Sequence, residues 1–192
     1  MDQWEQIVIK GGGLNGPVIV SSLQELQSLQ LRLAQIAREA AQASGEAEPE
    51  LPQLLQMAST PMEPVEISYL EGPHESFFNM LELDLDGLVV WFQQLRELKQ
   101  PQRAALYFLR LYRSHSLPEA LELMVDLPLL AGDAADVLEE IHEMRGDLDA
   151  IPDPFVRYID WARMAQDWLS QGTLVIFQFE GVEWVVLSPK AK

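Results

Sequence analysis

TLVIFQFEGVEWVVLS (173–188) joins two runs of β-branched and aromatic residues through Glu180-Gly181. A two-residue connection ending in Gly between two such runs is the pattern of a tight β-hairpin. Alternation sets Leu174, Ile176 and Gln178 on one face and Val175, Phe177 and Phe179 on the other. Both faces are mostly apolar, so the hairpin needs cover on two sides. Residues 160–171 supply one cover, a helix opened by Asp160 and stopped by Gly172. The other cover must come from elsewhere in the protein or from a partner.

Upstream, Glu119 to Asp160 carries twelve carboxylates against Arg145 and Arg157, a net charge of −10 out of −17 for the chain. A block of like charge is commonly a solvated tail, but this one is interleaved with apolar residues at helical spacing. At 100° per residue, Asp133, Asp136, Glu140, Glu143 and Asp147 fall within an arc of roughly 80°. Val137, Leu138, Ile141, Met144 and Leu148 fall together on the adjoining arc of about 120°. The pattern predicts a helix capped by Asp133, ending near Gly146, with an acidic ridge outward and an apolar stripe inward.

The chain has 192 residues, 48% hydrophobic, enough to build a core and too apolar for a disordered acidic protein. No apolar run reaches the roughly 18–20 residues of a membrane span, and MDQWEQIVIK (1–10) lacks the basic start and apolar run of a secretion signal. With no cysteine there is no disulfide, thiolate metal site or cysteine nucleophile. A cytoplasmic location follows as the expectation. A charge of −17 repels nucleic acid and anionic membrane and attracts basic partners.

WEQIVIK (4–10) and PVIV (17–20) read as strands around a Gly11–Gly16 turn. No Gly-Lys-Ser/Thr closes that turn and a strand follows it, which excludes a phosphate loop. Ser22 and Glu25 have capping-box spacing, and Leu23, Leu26, Leu29, Leu33, Ile36 and Ala40 continue a helical stripe over 22–43. Residues 44–64, rich in Pro and Glu, read as a linker or insertion with a short helical turn over 51–57. VEISYL (65–70) is a third strand. His74, beside Glu71 and Glu75, has no histidine at helical spacing and reads as a solvated loop residue. A helix from Asp86, with Leu88, Val89, Phe92, Leu95 and Leu98 on one face, runs to Pro101. A second, over 102–114, turns Leu106, Leu109 and Tyr112 inward. Arg96, Lys99, Arg103, Arg110 and Arg113 form the one basic concentration, expected to be absorbed by internal salt bridges. Ser116 and Glu119 open a short helix through Val125. Pro152 and Pro154 mark a loop over 147–157.

The class is therefore α+β: a β-β-α-β unit with its linker (1–75), a helical middle with the acidic helix (76–150), and a helix–hairpin end (151–192). Pro152, Tyr158-Ile159-Asp160-Trp161, Ala165, Asp167 and Gly172-Thr173 resemble the closing motif of the ArdA antirestriction family. The acidic helix with its Asp133-x-x-Asp136 start, Pro118-Glu119 and the helix pair at 86–114 are similar to that family in order. The likeness covers about 86–188. The N-terminal unit agrees in strand–strand–helix–strand order and in Asn15-Gly16. Gln166 stands where the motif has a basic residue, and Met164 where it has an aromatic.

The resemblance implies an elongated acidic homodimer that mimics DNA and occupies the DNA groove of type I restriction–modification enzymes. Such a protein protects mobile DNA in a bacterial host, catalyses no reaction and uses no cofactor or metal. The phosphate surrogates would be Glu119, Glu122, Asp126, Asp133, Asp136, Glu139, Glu140, Glu143, Asp147, Asp149, Asp153, Asp160 and Asp167. A ridge over 133–147 would be about 21 Å long, roughly one charge per 5 Å, against one per 3.4 Å on a DNA strand. Tyr158 and Trp161 are expected to pack rather than stack on a partner. Self-repulsion keeps a dimer interface away from the ridge, on apolar surface such as the hairpin or the helical middle. The alternative is an acidic adaptor that docks on a basic protein surface without imitating a duplex. A hydrolase built on Glu140 and Glu143 lacks a complementing His or Asn.

Overall fold

The computed structural model describes residues 5–44 and 65–187, an α+β arrangement in two compact units, 1–98 and 99–192. The 44–64 segment lies outside the described residues, apart from Ser44 at the end of the first helix.

In the first unit β1 (Gln6–Gly11) pairs antiparallel with β2 (Val18–Val20) and with β3 (Val65–Glu71), in the order β2-β1-β3. Period-2 alternation along β1 buries Ile7 and Ile9, with Val20 and Tyr69 opposite Ile7 in the register. The loop between β1 and β2 holds Gly11, Gly12 and Gly13 at φ of 86°, 63° and 79°, a left-handed run that only glycine adopts readily. The strand β2 follows it, as expected. Helix α1 (Leu23–Ser44) lays Leu26, Leu29 and Leu33 into the core, while Ala40 is exposed and Ala41 takes the inward position.

Two helices follow. Helix α2 (Glu75–Leu81) lies among Glu71, Glu75, Glu82, Asp84 and Asp86 and is not predicted by the sequence pattern. It forms because Phe77, Phe78 and Leu81 share one buried face, with both Phe rings against Trp91 at 5.8 and 4.9 Å. His74 precedes α2 half-buried, its ring 6.4 Å from Trp91, rather than solvated in a loop. Helix α3 (Leu85–Gln93) starts one residue before Asp86, because the Asp84 carboxylate accepts from the Gly87 amide at 2.7 Å and caps it. It stops well short of Pro101 and passes into a 3₁₀ turn, Leu95–Glu97, that keeps Leu95 buried. Those helices hold to the sheet through Glu5, only 1% exposed, whose two carboxyl oxygens accept from Tyr69 Oη at 3.0 Å and Trp91 Nε1 at 3.2 Å. A division at residue 75 is thus bridged by hydrogen bonds, and 76–98 folds with the N-terminal sheet.

The second unit opens with α4 (Gln100–Tyr107), which runs into a π-helical turn, Phe108–Tyr112. The wider turn keeps Phe108 and Leu109 buried and leaves Leu111 and Tyr112 about half exposed, with one side of the Tyr112 ring on Phe108 and Phe177 at 5.6 Å each. Helix α5 (Leu117–Leu123) has the expected Ser116–Glu119 capping box. Next come β4 (Leu129–Ala131), α6 (Ala134–Met144), the short α7 (Asp153–Val156), α8 (Trp161–Ser170), β5 (Leu174–Phe179) and β6 (Val182–Leu187). Glu180 and Gly181, at φ of 48° and 76°, make the β5–β6 turn with both central residues at positive φ, which suits a two-residue hairpin. Strand β4 completes an antiparallel sheet in the order β4-β6-β5 and joins the residue 76–150 stretch to the C-terminal end.

Both faces of this sheet are covered. Leu174, Ile176, Val185 and Leu187 pack on α6 and α8 through Val137, Leu138, Ile141, Trp161, Met164, Ala165 and Trp168. Phe177 and Phe179 meet Tyr107 on the other side at 5.8 and 4.8 Å, with Phe108 5.4 Å from Phe177. The second cover is therefore the chain's own α4 and π turn.

Glu5→Ala leaves two buried donors without an acceptor and is expected to cost about 2–4 kcal/mol in urea unfolding, with Glu5→Gln costing less. Burial pushes the Tyr69 phenol above its ordinary value, the His74 amide opposes this, and the charges of Glu5 and Glu75 add to the rise. Its raised folded value means that the contribution of Tyr69 to stability is whole below about pH 10, the unfolded value, and is lost as pH rises beyond it. Unfolding free energies measured up to about pH 11 should fall more steeply in the wild type than in Tyr69→Phe.

Candidate acidic interaction surface

Helix α6 is built by opposing faces. Asp133 caps it, its carboxylate accepting from the Ala135 amide at 2.8 Å. Ala134, Val137, Leu138 and Ile141 are buried against the sheet and α8. Their burial forces Asp136, Glu139, Glu140 and Glu143 outward, and all four are exposed. Among the described residues none of the four carboxylates has a hydrogen-bond or ion-pair partner.

The ridge is shorter than periodicity predicts. Helix α6 ends at Met144, and Asp147 lies beyond it in a turn whose amide donates to the His142 carbonyl at 3.0 Å. The Asp147 carboxylate is 2.8 Å from Nδ1 of His142. The ring of His142 sits between α6 and α8, 5.6 Å from Trp161 and 5.7 Å from Trp168. Met144, expected on the inward face, is 65% exposed and borders a cleft between the last turn of α6 and strands β4 and β6. Leu148 is half-buried.

The remaining carboxylates come from several elements. Glu119 is tied to its own helix start by the Ser116 hydroxyl and amide, which hold its carboxyl below the usual range in that order of strength. Glu122 lies exposed on α5, and Asp126 and Asp149 lie exposed in turns. Asp153 starts α7, its side chain outside the described residues. Asp160 caps α8, accepting from the Arg163 amide at 2.9 Å, and Asp167 is on the outer side of α8. Glu119, Asp133, Asp147 and Asp160 thus hold the local fold as well as adding charge.

The motif residues mostly serve the same helix–hairpin junction. Pro152 precedes α7, Ile159 is half-buried, Trp161 and Ala165 face the core, and Gly172 at φ 68° closes α8. Tyr158 does not pack: it is 75% exposed, with the Arg157 guanidinium 5.5 Å from its ring centroid. The basic concentration is largely turned to internal work. Arg103 forms a two-pronged pair with Glu180 at 3.0 and 2.6 Å, Arg110 donates to the His115 carbonyl at 2.9 Å, and Arg113 lies over Phe108. Among the described residues no group of His, Asp and Glu is arranged to hold a metal ion, and no helix is long and apolar enough to cross a membrane. Sequence reasoning missed Arg145 at the end of α6, which is among the residues lining a largely apolar cleft.

Comparison of the chain with protein-family models, curated proteins and solved structures finds no match. The likeness to the ArdA family rests on the motif residues and the order of the elements before them.

Neighbouring residues on α6 should respond oppositely to truncation. Leu138→Ala is expected to lower unfolding free energy by about 2–5 kcal/mol, whereas Glu139→Ala stays within about 0.5 kcal/mol, as measured by chemical denaturation.

Proposed function

We propose that the protein is an antirestriction DNA mimic, a homodimer that binds the DNA groove of a type I restriction–modification enzyme and blocks access of DNA. The observation that carries this reading is the acidic face of α6: four exposed carboxylates without partners, on a helix whose other face is locked in the core. A helix fixed by its buried face holds the four carboxylates together as a concentrated negative charge, which steers a basic groove toward them. The motif around Tyr158–Gly172 ties this face to the ArdA-like pattern. The target supplies the Lys and Arg side chains that otherwise contact phosphates. No catalysis and no cofactor are required.

The short ridge favours a second reading. Asp136 to Glu143 spans about 10 Å of helix, the length of roughly three phosphates on one strand. A patch that compact also suits an acidic adaptor docked on a basic protein surface without duplex mimicry.

A cleavage-protection assay separates the two. The wild-type protein should protect unmodified DNA from a type I enzyme at low salt, and reversing Glu139, Glu140 and Glu143 to Lys should abolish protection. Reversing Glu39, Glu66 and Glu71 instead should leave it intact. Each triple reversal moves the chain from −17 to −11, so a difference between them reports position rather than net charge. Absence of protection by the wild type, or equal loss in both variants, would remove the mimic reading.

A further inference from the structure

Beside the acidic face lies a cleft of about 340 Å³ between β4, β6 and the last turn of α6, lined by Leu130, Ile141, Met144, Arg145, Val185 and Leu187 among others. Its walls are apolar and incompletely covered: Leu130 and Leu187 are half-buried and Met144 is 65% exposed. Among the described residues Arg145 is the only charged one lining it. Among the described residues its guanidinium has no hydrogen-bond or ion-pair partner, although the surrounding segment is dense in carboxylates. Apolar walls with one convergent polar group are the makings of a small-molecule site in which that group sets orientation. A guanidinium selects planar oxyanions, which it grips in a two-pronged fashion.

We propose that this cleft binds a small apolar monocarboxylate, with its carboxylate on Arg145 and its hydrocarbon body against Leu130, Ile141 and Leu187. The single charge follows from the setting. Glu143, Asp147 and Asp149 are exposed close by in sequence and the chain carries −17, so a phosphate dianion is repelled more than a monoanion. The cavity is at the small end of the range for ligand sites, which matches a medium-length alkanoate rather than a large amphiphile. This inference does not depend on the DNA-mimic reading.

The test is titration of the full chain with octanoate, followed by calorimetry and by NMR of methyl groups. Saturable binding at millimolar concentrations is expected, with shifts confined to the methyl groups that line the cleft, those of Leu127 and Leu129 included. Arg145→Gln should weaken octanoate about tenfold, the value of a charge-assisted hydrogen bond, while its melting temperature stays that of the wild type. Octylamine should not saturate the site, and octyl phosphate should bind more weakly than octanoate. Absence of saturable binding, shifts outside the cleft, an unchanged affinity in Arg145→Gln, or tighter binding of octyl phosphate would each overturn the proposal. The methyl shifts of the wild type test it whatever the behaviour of the variant.

Discussion

Burial of both faces of the β5–β6 hairpin is the constraint on which the second unit depends. A three-stranded sheet with aromatic and β-branched residues on both sides is stable only between two layers. Phe177 and Phe179 are met by α4 and the π turn, and Leu174, Ile176 and Val185 by α6 and α8. Once the apolar stripe of α6 is committed to the sheet, its remaining positions face outward. The acidic face therefore follows from packing: the same helical period that buries Leu138 exposes Glu139 and Glu140. Local interactions reinforce it, with Asp133 capping the helix and Asp147 gripping His142 after its end.

The first unit relies on a polar centre instead. Glu5 sits among apolar neighbours with both oxygens satisfied by side-chain donors from β3 and α3. Burying a carboxyl group is costly unless it is hydrogen-bonded, so the arrangement ties three separate elements to one register. The aromatic shell of Phe77, Phe78 and Trp91 closes around it.

Most of the framework was legible in the sequence, because hairpins and amphipathic helices advertise themselves through alternation, caps and glycines. Glu180-Gly181, Ser116–Glu119, Asp133, Asp160 and Gly172 all act as their positions suggest. What escaped was short or cooperative. Strand β4 has three residues between Pro128 and Gly132, too few to show a period, and exists because β6 offers an edge. Helix α2 hides its Phe pair among acids. A signal for Glu5 was present: counting by two places it on the inner face with Ile7 and Ile9. In the candidate site, the 100° count extended the ridge through Asp147, because periodicity carries no information about where a helix stops; Met144 borders a cleft that only the folded chain assembles. Arg145 was visible only as a charge, since its cleft is assembled from β4, β6 and α6.

The central claim is that the acidic face of α6 is a rigid polyanionic surface for a basic groove. Its most direct test is the slope of log affinity against log salt for the complex with a type I restriction–modification enzyme. The account predicts a steep fall with salt in the wild type and a clearly shallower slope once Glu139, Glu140 and Glu143 are reversed. An affinity insensitive to salt, or an identical slope in the two proteins, would contradict it.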